Sequence, residues 1–191
     1  MRTTKDYKKL VEGYSFSLSI LKQLKPKFYD KFMLTKNLLS KQGTSFAEMV
    51  RDLKIDFINE HDNKEPENPK ILTVDKGFYK EKYTLNYLPG EYVLGLLYEK
   101  ESLIGKKQIF CEIIPTTLED LKKNTFMNII RISKVDEENN IQKVYNYIGA
   151  ICEDSLVVLI QDVDKPNAVK DGLDISLNEI DSIYEDLTSI F

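Results

Sequence analysis

The apolar positions of the first 62 residues recur at the three- and four-residue spacing that places side chains along one face of a helix. Lysines stand between them, as is typical of an amphipathic helix with a solvated opposite face. Because proline has no amide hydrogen, Pro26 is expected to end or kink this first helix. Its apolar positions are Tyr7, Leu10, Val11, Tyr14, Leu18 and Leu21.

Two more helices are predicted after Pro26. The second is expected to stop at Gly43, since glycine readily adopts the left-handed conformation at helix C-termini. The third begins at a capping box, in which the Ser45 hydroxyl and the Glu48 carboxylate accept hydrogen bonds from otherwise unpaired amides. The apolar positions are Phe28, Phe32, Leu34, Leu38 and Leu39 in the second helix, and Phe46, Met49, Val50, Leu53 and Phe57 in the third.

The segment 59–70 is the predicted domain boundary. It contains no apolar side chain larger than proline, and its two prolines prevent a helix from continuing through it. The sequence therefore predicts a helical N-terminal domain at residues 1–62, a linker at 63–70 and a β-rich domain with a C-terminal helix at 71–191.

Beyond the linker, short stretches rich in Tyr, Ile and Val alternate with turn residues, a pattern that favours strands. One short helix, 116–123, is expected among them, with Thr116 or Thr117 as its cap. After a loop at 164–173, the remaining residues are expected to form a short strand and then a helix. The predicted strands are 71–75, 78–88, 91–99, 107–114, 127–135, 142–152 and 155–163.

The strands and hairpin reversal of residues 129–183 resemble those of small SH3-like or Sm-like barrels. The resemblance covers less than a third of the chain and implies a fold only, because no nucleotide-binding motif accompanies it. Gly149, inside a strand, indicates a bulge or a sharp bend, which small barrels use at their corners. The alternative is another antiparallel sheet. With either arrangement the predicted fold class is α+β with a mostly antiparallel sheet.

Composition indicates an ordinary globular protein, with 42% hydrophobic and 30% charged residues. Since no stretch of about 18 apolar residues occurs, we expect no membrane contact and a cytoplasmic location. Cys111 and Cys152 lie far apart inside apolar runs, which favours two reduced, buried thiols over a disulfide.

Charge is distributed unevenly along the chain. Residues 1–54 carry 12 Lys or Arg against 5 Asp or Glu, a balance of +7, whereas residues 135–191 carry 3 against 13, a balance of −10. Such asymmetry is typical of proteins that contact a charged partner, although the two ends could also neutralise each other.

No motif in the chain predicts catalysis. His61 is the single histidine and lies in the polar boundary segment, where a general base would lack shelter. Paired zinc ligands and phosphate-binding glycine loops are missing from the sequence. The acidic segment that begins at Asp162 fails the EF-hand pattern, because Asn167 and Leu173 occupy the glycine and final acid positions. We therefore expect a non-enzyme without a metal or cofactor; a metal-dependent enzyme that uses these acids is the weaker alternative.

The acidic C-terminal third suggests a surface that binds a protein partner with a basic face, including a face that normally holds nucleic acid. Usage rich in Lys, Asn and Ile is typical of AT-rich bacterial or phage genomes, so we expect an inhibitor or adaptor with a regulatory role. The expected partner-binding residues are Asp162, Asp164, Asp171, Asp174, Glu179, Asp181, Glu185 and Asp186.

The alternative function is a regulator that binds nucleic acid through its N-terminal helices, whose lysines would contact phosphates. Residues 38–53 have the order of a helix-turn-helix motif, but the segment that should read DNA is acidic. The lysines expected to contact phosphate are Lys5, Lys8, Lys9, Lys22, Lys25, Lys27, Lys31, Lys36 and Lys41.

Overall fold

The computed structural model describes residues 4–41, 70–88, 93–135 and 141–184. Two helices come first, α1 (Thr4–Leu24) and α2 (Pro26–Lys41), separated by Lys25 alone. The predicted break at Pro26 is confirmed: the proline occupies the first position of α2, where its missing amide would have no helical partner. The third predicted helix, its Ser45 capping box, Gly43 and the linker 63–70 all lie outside the described residues.

Eight strands follow, and each pairs antiparallel with the next in chain order. Between the fourth and fifth strands lies the short helix α3 (Leu118–Lys123), and after the last strand come a single 3-10 turn (Leu177–Glu179) and α4 (Ile180–Ile183). The strands are β1 (Lys70–Asp75), β2 (Tyr79–Leu88), β3 (Val93–Ser102), β4 (Gly105–Ile113), β5 (Met127–Val135), β6 (Ile141–Cys152), β7 (Ser155–Asp162) and β8 (Val169–Ser176).

The predicted α+β class with an antiparallel sheet is confirmed, but the suggested small barrel is not. Strands β5 to β8 form one half of a single open sheet, and β1 and β8 are its two edges. The predicted loop 164–173 is also partly wrong, since β8 begins at Val169. A register shift between Val158 and Leu159 breaks the apolar alternation that would have revealed this strand.

One face of the sheet packs against the helices and is called here the helix-covered face. The cross-strand partners Leu96 and Cys111, and next to them Ile132 and Tyr145, place their side chains on this face. Buried side chains of α1, α2 and the sheet form one continuous core. Because both helices share this core with the sheet, their burial depends on the sheet being folded.

Helix α1 is buried on every side over its second half. All nine residues 13–21 are buried, including Ser15, Ser17 and Ser19. A helix lying on one face of a sheet would leave every third or fourth residue exposed. Here α1 contacts α2 and α4 as well as the strands β4, β5 and β8, so it lies in the middle of the shared core.

Small residues let α1 approach the segment that follows β4. The Thr116 amide donates a hydrogen bond to the Gly13 carbonyl at 3.3 Å, and the Ser17 hydroxyl donates to the Ile114 carbonyl at 2.5 Å. A Cβ atom on Gly13 would lie 3.0 Å from the Thr116 nitrogen and 3.1 Å from Pro115. The segment is thus held against the helix by two hydrogen bonds and by the absence of a side chain at Gly13.

Helix α3 begins as the sequence predicts. The Thr117 hydroxyl accepts a hydrogen bond from the Asp120 amide, and the Asp120 carboxylate accepts one from the Thr117 amide, both at 3.1 Å. This capping box satisfies two amides that have no partner within the helix. It also fixes the direction in which the chain leaves β4 and returns to β5.

The two cysteines differ in environment. Cys111 is buried in the core as predicted, and burial raises the pKa of its thiol, but the prediction that Cys152 is also buried is wrong. Cys152 ends β6 at the tight turn to β7, where its side chain is exposed. The turn was expected, since the predicted strands end at 152 and resume at 155, but the apolar residues before Cys152 suggested a buried side chain.

We therefore expect a thiol reagent such as 5,5′-dithiobis(2-nitrobenzoate) to label one cysteine rapidly in the folded protein and the second only after denaturation. Cys152→Ser should abolish the rapid phase, because buried Cys111 offers little thiolate to solvent. Equal labelling rates for both thiols in the folded state would contradict the placement of Cys111 in the core.

No helix in the described ranges has the length and apolar content needed to cross a membrane.

Candidate functional site

The acidic residues expected to bind a partner fall on different parts of the structure. Asp162 ends β7 on the helix-covered face, where Lys143 donates a hydrogen bond to it at 2.9 Å. That bond lowers the pKa of the Asp162 carboxyl, so Asp162 is already paired. Asp164 lies in the following turn, and its amide donates to Asp162. Glu185 and Asp186 lie outside the described residues.

Asp171 and Asp174 form the acidic centre of edge strand β8. Their cross-strand partners are Leu159 and Val157, which places both carboxylates on the face opposite the helices. Both are exposed, as are Glu179 and Asp181 in the short helical segment that follows. We call Asp171, Asp174, Glu179 and Asp181 the acidic edge.

The main chain beside the acidic edge is open. Strand β8 pairs with β7 on one side, and on its other side no strand of the described residues pairs with it. At the start of the strand, Val169 is 46% exposed, and Val163 in the preceding turn is exposed to the same degree. The edge therefore combines free hydrogen-bonding groups, carboxylates and two apolar side chains.

The lysines predicted to contact phosphate do not form one surface. Lys5, Lys8 and Lys9 lie near the start of α1, whereas Lys25 and Lys27 lie beyond its end, about 25 Å from Lys8 at 1.5 Å per residue. Some of the listed lysines make contacts within the protein. Lys9 forms an ion pair with Asp120 at 3.4 Å. The Lys22 ammonium lies over the Tyr29 ring, and the Lys31 ammonium lies over the Tyr98 ring. The side chains of Lys36 and Lys41 lie outside the described residues.

A cavity of 370 Å³ opens between the helix-covered face and the turn that joins α1 to α2. Apolar and aromatic side chains line it together with three lysines. The residues that line it are Lys25, Phe28, Ile109, Ile132, Lys134, Tyr145, Tyr147, Ile160 and Lys170. We call it the lysine-rimmed cavity.

A cluster of polar and aromatic side chains, separate from the cavity, lies under α2. The Tyr83 hydroxyl donates a hydrogen bond to the buried Glu81 carboxylate, and the Lys31 ammonium lies 3.8 Å from the centre of the Tyr98 ring. Burial raises the pKa of Tyr98 to about 12 and that of Tyr83 further. Both phenols are therefore protonated near neutral pH, so this cluster supplies hydrogen bonds and no phenolate nucleophile.

Within the described ranges, no three His, Cys, Asp or Glu side chains are arranged to hold a metal ion. His61 lies outside those ranges.

Comparison with known protein families, curated proteins and solved structures finds no match.

The sequence analysis listed all four residues of the acidic edge, but of the three lysines that line the cavity it listed only Lys25, as a phosphate contact. Lys134 and Lys170 stand in strand segments of mixed polarity, and the face on which each one points depends on the strand register. Lys134 lies directly opposite Lys143, a pairing of like charges that only the register between β5 and β6 reveals. One sequence signal was available, namely lysines placed at the polar ends of otherwise apolar strands.

Proposed function

We propose that the protein is a non-catalytic binding protein whose acidic edge docks a basic segment of a protein partner. The observation that supports this proposal is the coincidence of an open strand edge with exposed carboxylates on β8. An added strand would satisfy the free main-chain groups of β8, as in other cases of strand addition to a sheet edge. Lys or Arg side chains opposite Asp171 and Asp174 would complete the pairing.

Charge makes this docking selective. Exposed edge strands risk pairing with identical strands, and charged side chains along the edge oppose such self-association. On the face opposite the helices the charges of β8 are the Asp171 and Asp174 carboxylates, so the same face of a second copy is repelled, whereas a strand with alternating basic residues is attracted. The same preference would direct the protein to a basic surface that otherwise holds nucleic acid, which is the role of an inhibitor or adaptor.

The proposal can be tested with a labelled eight-residue peptide that alternates Lys and Val, equal in length to β8. Fluorescence anisotropy at low ionic strength gives its Kd for the wild type and for Asp171→Lys/Asp174→Lys. Each opposite-charge pair contributes roughly 0.2–1 kcal/mol and becomes repulsive on reversal, so we expect Kd to rise by about 5- to 30-fold.

The matched control is Asp30→Lys/Glu101→Lys, which changes net charge equally at exposed acids of α2 and β3. Its Kd should stay within about twofold of the wild type, since additive surface changes remote from a site have small effects. A peptide with alternate N-methylated amides should bind weakly, because it cannot complete the strand pairing. Equal weakening by both double variants, or tighter binding of an oligonucleotide than of the peptide, would overturn the proposal.

A further inference from the structure

The lysine-rimmed cavity places like charges side by side without a described counter-ion for each. Lys134 and Lys143 are direct cross-strand partners on the helix-covered face. Like charges in this position destabilise a sheet. Asp162 neutralises Lys143 at 2.9 Å, but no carboxylate among the described residues lies within ion-pair distance of Lys134. The same holds for Lys25 and Lys170, so three lysines that line the cavity have no described ion-pair partner.

The floor of the cavity is apolar. The cross-strand pairs join it into one surface, since Ile132 lies opposite Tyr145, and Tyr147 lies opposite Ile160. Phe28 of α2 covers the other side. Burial raises the pKa of Tyr147 to about 12, so its hydroxyl is a neutral hydrogen-bond donor at physiological pH.

The lysines at the mouth and the apolar floor of the cavity favour different groups on a bound molecule. The lysines attract a negative group that remains at the mouth, where the exposed ammonium ions keep part of their hydration. The apolar floor, by contrast, gains from a hydrocarbon chain that displaces water. A volume of 370 Å³ lies within the range of small-molecule sites, roughly 300–1,000 Å³.

We propose that the lysine-rimmed cavity binds a single-chain alkyl carboxylate, with the chain on the Ile132 and Ile160 floor and the carboxylate between Lys25, Lys134 and Lys170. The site lies on the helix-covered face, whereas Asp171 and Asp174 point to the opposite face. It is therefore separate from the acidic edge and does not depend on the proposed function.

The probe we choose is octanoate, titrated into full-length protein whose isoleucine δ1-methyl groups carry ¹³C. We expect chemical-shift changes at Ile109, Ile132 and Ile160 that saturate with a single Kd, and none at Ile104, which is 97% exposed. 1-Octanol has the same chain without charge, and acetate has the charge without the chain. Both should bind at least about tenfold more weakly than octanoate, because each lacks one of the two contributions.

Lysine variants distinguish octanoate binding at the cavity from non-specific electrostatic attraction to the protein surface. Lys134→Gln/Lys170→Gln should raise the octanoate Kd by about tenfold or more, since two charge-assisted contacts are lost. The matched control Lys76→Gln/Lys80→Gln removes two exposed lysines at the β1–β2 turn and should leave Kd unchanged. Equal affinity for octanoate and 1-octanol, shifts spread over Ile104, or equal loss in both lysine variants would overturn the proposal. Displacement of octanoate by a single-stranded oligonucleotide at lower concentration would do so as well.

Discussion

Replacing Leu18 by alanine is expected to lower the free energy of unfolding by about 3–5 kcal/mol, among the largest effects of any single substitution in this chain. Leu18 has no exposed surface and lies in the part of α1 that is buried on every side. Its removal would leave a cavity between α1 and the helix-covered face, where the surrounding elements hold each other in place. Urea unfolding followed by circular dichroism at 222 nm measures the loss.

The control for Leu18 is Leu34→Ala in α2, which is the same substitution in a helix at a side chain that is 43% exposed. It should cost less than about 1 kcal/mol, because little buried volume is removed. If both variants lost equal stability, or if Leu18→Ala cost under about 1 kcal/mol, α1 would not be enclosed in the middle of the shared core.

Gly149→Ala is expected to destabilise the protein by about 2 kcal/mol through a clash at one defined neighbour. Strand β5 bulges at Ile129, two residues beyond Met127, which is the cross-strand partner of Gly149 in β6. A Cβ atom at Gly149 would lie 2.4 Å from Ile129 Cδ1 and 3.4 Å from Leu121 Cδ2 of α3. Ile129 is completely buried, so its side chain cannot move aside into solvent.

A double-mutant cycle with Ile129→Val tests this cause, because valine lacks the δ1 methyl group that would collide. We expect Ile129→Val alone to cost about 1 kcal/mol, and the double variant to be more stable than the two single losses added together predict, by about 1 kcal/mol or more. Strict additivity would show that the cost of Gly149→Ala has another origin, such as the backbone conformation.

The elements governed by local sequence were predictable. Pro26 divides the helical region, Thr117 caps α3, and strands β1 to β7 were placed to within a few residues, because periodicity and turn residues act over short distances. The bulge expected at Gly149 is not found there, since β6 pairs in register at this residue and the irregularity lies at Ile129 of β5. The division into domains at 62 and 71 stays a prediction, and its linker lies outside the described residues.

Features set by long-range pairing were not predictable. The suggested barrel would need β5 to pair with β8, whereas β5 pairs with β4 in the open sheet. The sequence holds no signal that distinguishes these two pairings of β5. The first part of β8 was taken for a loop and only its end was predicted as a strand, because Gly172 adds a residue to the strand: its Cβ would lie 2.9 Å from the Val158 carbonyl oxygen, and the bulge interrupts the alternation before Leu173.

The burial of α1 did have a sequence signal. Small serines alternate with large apolar residues from Ser15 to Ile20, and since residues two apart lie on opposite sides of a helix, both sides carry side chains small enough to be covered. Ser17 and Ser19 then satisfy their hydroxyls with the Ile114 and Ser15 carbonyls. An interpretation in terms of a single apolar stripe misses this second pattern.

The most direct test of binding through the acidic edge is amide hydrogen exchange of full-length protein, measured by NMR with and without saturating Lys–Val peptide. The account predicts that amides of β8 which point away from β7 exchange freely in the unbound protein and become protected in the complex, and that Asp171→Lys/Asp174→Lys removes this protection. Unchanged exchange in β8 at saturation, or new protection confined to α1 and α2, would contradict it.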